Sequence, residues 1–320
     1  MNLENLPRVT LANLPTPVQE LPRLSRTLGR SIWIKRDDLT GLALGGNKTR
    51  KLELLCADAL KRKADTLITG GAPQSNHCRQ TAAAAAKLGL RCLLVLSGWP
   101  QPPDTGNLLI DSLVGAELVW ADDKPRDQAM QETFDRERSE GRNPYLIPYG
   151  GSNPLGAAAY ALAMLELKSQ KVNPDWIIFP SSSAGTQTGL ILGAELYQFH
   201  GQVYGVSVDL EARLLREKIS ALLAETGRMF GGSKSFPSEP ILIDDRFLGG
   251  GYGKVGMLER EAIHLFAREE GILLDPVYTG RAAGGMLEMI RRNEIPPTAT
   301  VLFWHTGGIP AIWAYAKEIL

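Results

Sequence analysis

Two lysines stand three residues apart directly after a glycine pair, in the stretch GGNKTRK at residues 45–51. Residues at positions i and i+3 share one face of a helix, so the ammonium groups of Lys48 and Lys51 repel each other unless an anion or a reactive carbonyl lies nearby. Lys48 also comes at the start of a predicted helix, where a cation opposes the helix dipole. This position suits a lysine with a lowered pKa that attacks a carbonyl and forms a Schiff base. Two solvated surface lysines are the alternative interpretation.

A second candidate for chemistry is the small-residue loop SSSAGTQTG at residues 181–189. It lies between a predicted strand and a predicted helix, so backbone N–H groups and the positive end of the helix dipole converge at one place. A phosphate group suits such a site, and an ordinary tight turn is the alternative. Neither the P-loop pattern nor the dinucleotide-binding glycine pattern is present, which argues against those two classes of protein.

Four further polar side chains fall at predicted helix or strand ends. Ser75 opens the helix that follows GGAPQ, where a helix N-cap explains it equally well, and His77 in the same stretch has a capped or solvated histidine as its alternative. Thr279 in LLDPVYTGR and Thr306 in FWHTGG offer hydroxyl groups to a ligand, or serve turns. A hydrolase triad is not supported, because G-x-S-x-G is absent and no second histidine and aspartate stand at a telling spacing.

Short apolar runs alternate with helical patterns along the chain, and this order predicts how the motifs are positioned. Strands are predicted at residues 66–70, 92–96, 176–180, 203–208 and 300–304, with helices at 75–89 and 190–199. The alternation predicts parallel sheets with right-handed crossovers, and ligands bind outside the carboxyl ends of the strands in such sheets. Two stretches, 100–106 and 230–240, are predicted to be surface loops, and YGGSNPLG at 149–156 is a candidate hinge.

Composition excludes several classes of protein. The chain has 320 residues with a hydrophobic content of 44%, and 35 Lys and Arg balance 35 Asp and Glu. A net charge of zero argues against nucleic acid or an anionic membrane as partner. Three cysteines without C-x-x-C argue against a zinc site or a disulfide scaffold and favour a reduced compartment. No apolar run approaches the roughly 18 residues of a membrane span and no secretory signal is recognisable, so a cytoplasmic protein is expected.

The motifs taken together resemble a known family. The chain is similar to the pyridoxal-phosphate (PLP) enzymes of fold type II, in the group that contains D-cysteine desulfhydrase and 1-aminocyclopropane-1-carboxylate (ACC) deaminase. The resemblance runs nearly end to end, and its matching stretches are LPRLSRTLG, IKRDDLTGLALGGNKTRKLELL, GAPQSNHCRQTAA, PYGGSNPLGAAAY, SSSAGTQTGL, GILLDPVYTG and HTGGIPA. GGNKTRKLE together with QSN is the most specific of these.

The resemblance implies a role for each candidate residue. Lys48 is expected to bind the cofactor's aldehyde, and Lys51 to reach its phosphate. Asn76 is expected to bond the pyridine 3′-oxygen, and Ser75 to face the substrate carboxylate or to move a proton. The remaining implied contacts are the phosphate cradle of Ala184, Gly185, Thr186 and Gln187, substrate contacts of His77, and two side chains that flank the ring and substrate, Tyr252 and Tyr278.

Two threonines discriminate within the group. The deaminase pattern has a glutamate directly after the tyrosine of DPVY and a leucine before the last glycine pair, whereas this chain has Thr279 and Thr306, which match the desulfhydrase pattern. A carboxylate keeps the pyridine nitrogen protonated, so the ring accepts electrons more readily. Opening a cyclopropane demands such a ring more than β-elimination of hydrosulfide does. The predicted activity is therefore β-elimination from D-cysteine to hydrogen sulfide, pyruvate and ammonia.

One position departs from the pattern. Lys254 follows GGGYG, where an apolar residue before proline is expected. A solvated lysine is one interpretation, and a positive charge near the pocket that suits a sulfite leaving group is the other. L-Cysteate sulfo-lyase is therefore the first alternative activity. The others are a deaminase that tolerates threonine, a PLP-binding protein without turnover, and an α/β binding module for another phosphate.

The resemblance also implies the architecture. The expected fold is of the tryptophan-synthase-β-like type, with two three-layer α/β/α lobes built on largely parallel sheets. Residues 1–47 and 159–320 are expected to form the larger, PLP-binding lobe and residues 48–158 the smaller one, with the active site between them. The family further suggests a homodimer that acts on a small amino acid, and no metal is expected.

Overall fold

The structure is a computed structural model, and it describes residues 3–98, 105–230 and 240–320. The strands in these residues are β1 (Val18–Glu20), β2 (Ile32–Arg36), β3 (Thr66–Gly71), β4 (Arg91–Leu96), β5 (Glu117–Trp120), β6 (Pro144–Leu146), β7 (Trp176–Ser181), β8 (Gln202–Ser207), β9 (Leu242–Asp244) and β10 (Val301–His305). The helices are α1 (Pro22–Leu28), α2 (Lys48–Lys61), α3 (Asn76–Leu88), α4 (Asn107–Leu113), α5 (Arg126–Ser139), α6 (Pro154–Ser169), α7 (Gly185–Tyr197), α8 (Ala212–Met229), α9 (Met257–Glu270), α10 (Thr279–Arg291), α11 (Ala311–Ala314) and α12 (Ala316–Ile319). Most of the two predicted surface loops, 100–106 and 230–240, lies outside the described residues.

The larger sheet has six strands in the order β1-β2-β10-β7-β8-β9. β1 pairs antiparallel with β2, and the pairings of β10 with β2 and β7, of β7 with β8, and of β8 with β9 are parallel. Its strands alternate between two cores, because successive side chains of a strand point to opposite faces. Leu302 and Trp304 pack with α6, α7 and α8, whereas Val301 and Phe303 pack with α1, α9 and α10. This lobe is therefore a three-layer α/β/α sandwich.

The smaller sheet has four parallel strands in the order β5-β4-β3-β6. Leu67 and Leu94 face a core shared with α2, α3 and α4, whereas Ile68 and Val95 face a core shared with α5. The second unit is thus also a three-layer sandwich. All four strands lie within residues 48–158, and all strands of the larger sheet lie outside them. The exact division stays a prediction, since α6 continues through residue 158 and packs on both α2 and α7.

The sequence predicts five strands, and all five are confirmed, each with ends within one residue of the prediction. The strands that it did not predict are β1, β2, β5, β6 and β9. β2 reads IWIKR, and its two charged residues break the apolar run that would have predicted a strand. Lys35 is nevertheless fully buried. The other four are three or four residues long, which is too short for a period-two pattern to emerge.

A buried cluster of charges anchors α2, the helix that carries both lysines. Asp37 is fully buried and accepts hydrogen bonds from Arg50, from the Tyr160 hydroxyl at 2.6 Å and from the Trp304 indole at 2.8 Å. Arg50 also donates to Glu166 on α6 at 2.8 Å. The Arg50 guanidinium is among the groups that hold the pKa of Asp37 below its usual range against the opposing effect of burial. These contacts fix the position of α2 against the larger lobe.

No helix of the described residues is long and apolar enough to cross a membrane. No group of three or more histidine, cysteine, aspartate or glutamate side chains in that part of the chain could hold a metal ion.

Candidate active site

A polar pocket lies where the two sheets meet, outside the carboxyl ends of β3, β7 and β10. It is lined by Asn47, Lys48, Ser75, Asn76, His77, Tyr149, Gly150, Pro180, Ser181, Ser182, Ser183, Ala184, Thr186, Gln187, Tyr278 and Thr306. Residues that are far apart in sequence thus meet in one place, as expected for an α/β protein with parallel sheets. Nine of the predicted site residues line the pocket, namely Lys48, Ser75, Asn76, His77, Ala184, Thr186, Gln187, Tyr278 and Thr306.

Lys48 is the first residue of α2 and its amine lies in the pocket. Nζ donates a hydrogen bond to Asn47 Oδ1 at 3.0 Å. Burial lowers the pKa of Lys48 to about 8, and the charge of Asp275 opposes this shift. A substantial fraction of the amine is therefore neutral and nucleophilic near neutral pH, as the sequence predicts for a lysine that attacks a carbonyl.

Lys51 lies one helical turn further on and is fully buried. Its Nζ donates to the carbonyl of Gly150 at 3.0 Å and lies 5.9 Å from the Tyr160 ring centroid. No carboxylate of the described residues is within ion-pair distance of it. Burial and then the charge of Lys48 lower the pKa of Lys51 well below its usual range. The structure thus holds two buried amines on one face with no anion between them.

The loop before α7 completes an anion site beside Lys51. Ala184 has a φ of 71°, a left-handed conformation that residues with a side chain rarely adopt, and α7 begins at the next residue. A Cβ on Gly185 would lie 2.9 Å from Lys51 Nζ and 2.7 Å from Ser152 Oγ, so only glycine fits there. The ammonium group therefore stands against a helix N-terminus, where unpaired backbone N–H groups and the helix dipole attract an anion. This arrangement fits the phosphate of the predicted cofactor.

The start of α3 supplies the opposite wall. Ser75 Oγ accepts the backbone N–H of Cys78 at 3.2 Å, so the serine does cap the helix, and its residue also lines the pocket. Asn76 Oδ1 accepts a hydrogen bond from Asn107 at 3.1 Å, which orients its amide. His77 Nε2 lies 2.8 Å from Thr69 Oγ1. Burial, reinforced by the nearby charges of Lys48 and others, lowers the pKa of His77 well below its usual range, so the ring is neutral.

Two tyrosines form a pair at the pocket. The hydroxyl groups of Tyr252 and Tyr278 lie 2.7 Å apart, and their rings meet edge to face. Tyr278 lines the pocket, whereas Tyr252 reaches it through that hydroxyl contact and lines a neighbouring cavity. Burial is the largest cause that raises the pKa of both phenols well above the usual value, so both carry a proton at neutral pH.

The two discriminating threonines occupy different environments. Thr306 lines the pocket, and its carbonyl accepts the backbone N–H of Asn47 at 2.9 Å. Thr279 is fully buried at the start of α10, and its hydroxyl lies 2.7 Å from Asp275 Oδ1. Asp275 also accepts the backbone N–H groups of Val277 and Tyr278, and thus caps the helix. A direct contact of Thr279 with the cofactor stays a prediction.

Lys254 lies apart from this pocket. Its side chain is exposed, and the residue lines the neighbouring cavity with Tyr252 and Tyr315. Its carbonyl accepts a hydrogen bond from Arg281 at 2.8 Å. The solvated interpretation therefore fits the structure, and a direct role of Lys254 in holding an anionic leaving group finds no support in these contacts.

Seven lining residues were not among the predicted site residues, namely Asn47, Tyr149, Gly150, Pro180, Ser181, Ser182 and Ser183. Asn47 joins Lys48 to Thr186, since its Nδ2 donates to Thr186 Oγ1 at 3.1 Å. Tyr149 and Ser182 line the pocket from the two lobes. The signals were present, because Asn47 directly precedes the lysine, Tyr149 opens the glycine stretch assigned to a hinge, and Ser182 stands in the phosphate-loop motif.

The fold and the pocket define a class: an α/β enzyme with a partly neutral lysine and an anion site held between two parallel sheets. Residues 9–307 match the family described as pyridoxal-phosphate dependent enzymes, and the chain belongs to this family. Its fold is that of the fold type II PLP enzymes, and its cofactor is PLP. The resemblance inferred from the motifs is thereby confirmed.

Individual relatives extend the comparison. The chain is 42% identical over 328 aligned positions to the D-cysteine desulfhydrase of Klebsiella pneumoniae (strain 342), with 99% of each chain covered. A solved structure described as an ACC deaminase homologue matches with a TM-score of 0.92 and 39% identity, over 99% of this chain and 96% of that one. A crystal structure of O-ureido-L-serine synthase matches with a TM-score of 0.66 and 16% identity, over 96% of this chain and 93% of that one, which shows a shared fold alone.

Proposed function

We propose that the protein is a D-cysteine desulfhydrase, which converts D-cysteine and water to hydrogen sulfide, pyruvate and ammonia. The observation that carries the proposal is the pocket itself, where Lys48 with a pKa of about 8 faces Ser75, Asn76 and Tyr278 beside an anion site. The relationship to the desulfhydrase of Klebsiella pneumoniae over 99% of both chains supports the choice of reaction. Threonine at positions 279 and 306 supports it against the deaminase.

The proposed cofactor contacts follow from the charges of the pocket. Lys51 and the start of α7, from Ala184 to Gln187, would hold the phosphate, because the buried Lys51 amine stands there beside a helix N-terminus. Asn76 bonds the 3′-oxygen with the side chain that Asn107 orients. Lys48 forms the covalent link to the aldehyde. Thr306 lies on the wall of the same pocket and offers its hydroxyl to the ring.

The chemistry divides between the cofactor and the protein. PLP, when bound, supplies an aldehyde for the substrate amine and a ring that accepts the electron pair left at Cα. Lys48 Nζ, which is neutral in part at neutral pH, would take the proton from the substrate Cα. Ser75 offers its hydroxyl to the substrate carboxylate from the end of α3, and His77 contributes an uncharged polar ring beside it.

The tyrosine pair assists the departure of sulfur from Cβ. Tyr278 keeps its proton because burial raises its pKa, and it donates a hydrogen bond to the departing sulfur. Tyr252 orients the Tyr278 hydroxyl for this role through the hydrogen bond of 2.7 Å between the two hydroxyl groups. The products then form by release of the unsaturated amine, which water converts to pyruvate and ammonia.

A comparison of substrates tests the proposal. Purified holoenzyme is offered D-cysteine, L-cysteine and L-cysteate in parallel with ACC, and pyruvate or 2-oxobutanoate is measured. The proposal predicts pyruvate from D-cysteine as the fastest reaction. Pyruvate mainly from L-cysteate would replace it with the sulfo-lyase, 2-oxobutanoate from ACC would replace it with the deaminase, and a coloured but inert protein would leave only PLP binding.

We also propose that the chain acts as a homodimer, as its family resemblance implies. Leu109 and Leu113 lie one turn apart on α4, with exposed fractions of 45% and 76%, and Trp313 on α11 is 60% exposed. The two helices are neighbours, since Gly106 stands against the carbonyl of Pro310. Light scattering tests this with Leu113→Glu, which should yield monomers if this face is the interface. The cytoplasmic location stays a prediction.

A further inference from the structure

Asp209 is a carboxylate that the proposed mechanism does not use, although it stands directly behind the pocket wall. It follows β8, next to the point where Ser182 follows the neighbouring parallel strand β7. Ser182 Oγ donates to Asp209 Oδ2 at 2.7 Å, and Ser182 lines the pocket. Asp209 Oδ1 is shielded from solvent and has no hydrogen-bond partner in the described structure. The Asp209 carboxylate is therefore separated from the pocket by a single side chain, that of Ser182.

Positive groups surround Asp209 but none neutralises it directly. The nearest are Arg126, Lys218 and Arg281, yet no ion pair within 4.0 Å joins Asp209 to any cation of the described residues. The Arg281 guanidinium is bound to Glu259 at 2.7 Å. Lys218 is exposed, so solvent screens its charge. Arg126 lies over the Tyr149 ring, with 3.9 Å between the guanidinium carbon and the ring centroid.

The charge of Asp209 is felt at the three tyrosines around the pocket. Burial is the largest cause of the raised pKa of Tyr149, Tyr252 and Tyr278, and the charge of Asp209 raises the pKa of each of them further. The negative charge of Asp209, which the charge of Arg126 opposes at Tyr149, penalises a phenolate and any other anion in the same space. An amino acid with a sulfonate or carboxylate on Cβ would bring such an anion.

We infer that Asp209 is a specificity-determining residue that disfavours substrates with an anionic side chain and so admits the neutral thiol of cysteine. This inference rests on the proposed function for the identity of the substrate, but its physical content is a preference in binding. A carboxylate at this position would separate thiol from sulfonate substrates by charge, and the residues that handle protons, such as Lys48, would stay the same.

A matched ligand pair tests the inference without turnover. Asparagine and aspartate have the same shape and differ by one charge, and their binding to the holoenzyme is followed by the absorbance of bound PLP, in both D and L forms. The wild-type protein is expected to favour asparagine by on the order of tenfold or more, as the repulsion between two like charges in a partly buried site implies. Asp209→Asn should reduce that ratio about tenfold, since the amide still accepts the bond from Ser182.

One control separates charge from structure. Glu211→Gln removes the same charge two residues away on an exposed side chain, and it should keep the wild-type ratio. Equal binding of the two ligands by the wild type, no response to asparagine, or an unchanged ratio in Asp209→Asn would overturn the inference. If the wild-type protein prefers asparagine to aspartate but does not turn over D-cysteine, only the proposed function is refuted.

Discussion

Replacing Lys51 with methionine should have opposite effects on the protein with and without PLP. Lys51 is fully buried, contacts the Gly150 carbonyl at 3.0 Å, and has no carboxylate of the described residues within ion-pair distance. Burial, followed by the charge of Lys48, lowers its pKa well below the usual value. Without cofactor the side chain is a buried, uncompensated amine, whereas with cofactor it has an anion to bind. Methionine fills similar space without the charge.

The magnitude follows from the contact that is lost. A hydrogen bond to a charged group contributes about 1.5–3 kcal/mol, so Lys51→Met should weaken PLP binding roughly 10- to 100-fold. The cofactor-free protein should gain stability or keep it, because the replaced amine is buried with the Gly150 carbonyl as its hydrogen-bond partner and has no carboxylate beside it. The rise in melting temperature on adding PLP should therefore shrink in the variant.

The assay is a titration of cofactor-free protein with PLP, followed by absorbance, together with thermal unfolding with and without PLP. Lys61→Met is the matched control, because Lys61 lies on the same helix and is exposed. The control should bind PLP as the wild type does. Affinity of Lys51→Met within twofold of wild type, or a marked loss of stability without PLP, would refute the assignment of Lys51 to the phosphate.

Three further predictions follow from the described contacts. The rate of PLP attachment to Lys48 should rise with pH and level off above about 8, because the neutral amine reacts and burial lowers its pKa to about 8; a stopped-flow rate still rising at pH 10 would contradict this. Asp37→Asn should cost about 1.5–3 kcal/mol in urea unfolding, since it removes one of the two carboxylates that bind the buried Arg50 and leaves Glu166, and a loss below 1 kcal/mol would count against that. Tyr278→Phe should lower kcat for D-cysteine by on the order of 100-fold and Tyr252→Phe by less, because the latter reaches the pocket only through Tyr278; the reverse order would refute their assigned roles.

The helix that carries the lysines and the loop that faces them were predictable from local patterns. Lys48 opens α2 as the sequence predicts, and the SSSAGTQTG stretch lies at the N-terminus of α7, although α7 begins at Gly185 and not at residue 190. Both depend on short-range rules, namely residues that share a helix face and small residues that free backbone N–H groups. The central strands were predictable for the same reason, since they are continuous apolar runs between loops.

Contacts between distant segments were not predictable. Nothing near Asp209 in the sequence indicates that it meets Ser182, because the contact arises from the adjacency of β7 and β8. The same is true of Asp37, which binds partners from three separate elements and from the loop before β1. A local contact also escaped prediction: the position of Thr279 after DPVY was informative, yet its hydroxyl is engaged by Asp275, four residues earlier in the same turn.

The most direct test of the account is the release of sulfide and pyruvate from D-cysteine by the wild-type holoenzyme and by Lys48→Ala. The account predicts equal amounts of the two products from the wild type and none above background from the variant, because Lys48 both binds the cofactor and takes the proton from Cα. Turnover by Lys48→Ala at the wild-type rate, or a wild-type holoenzyme that releases neither product, would contradict it.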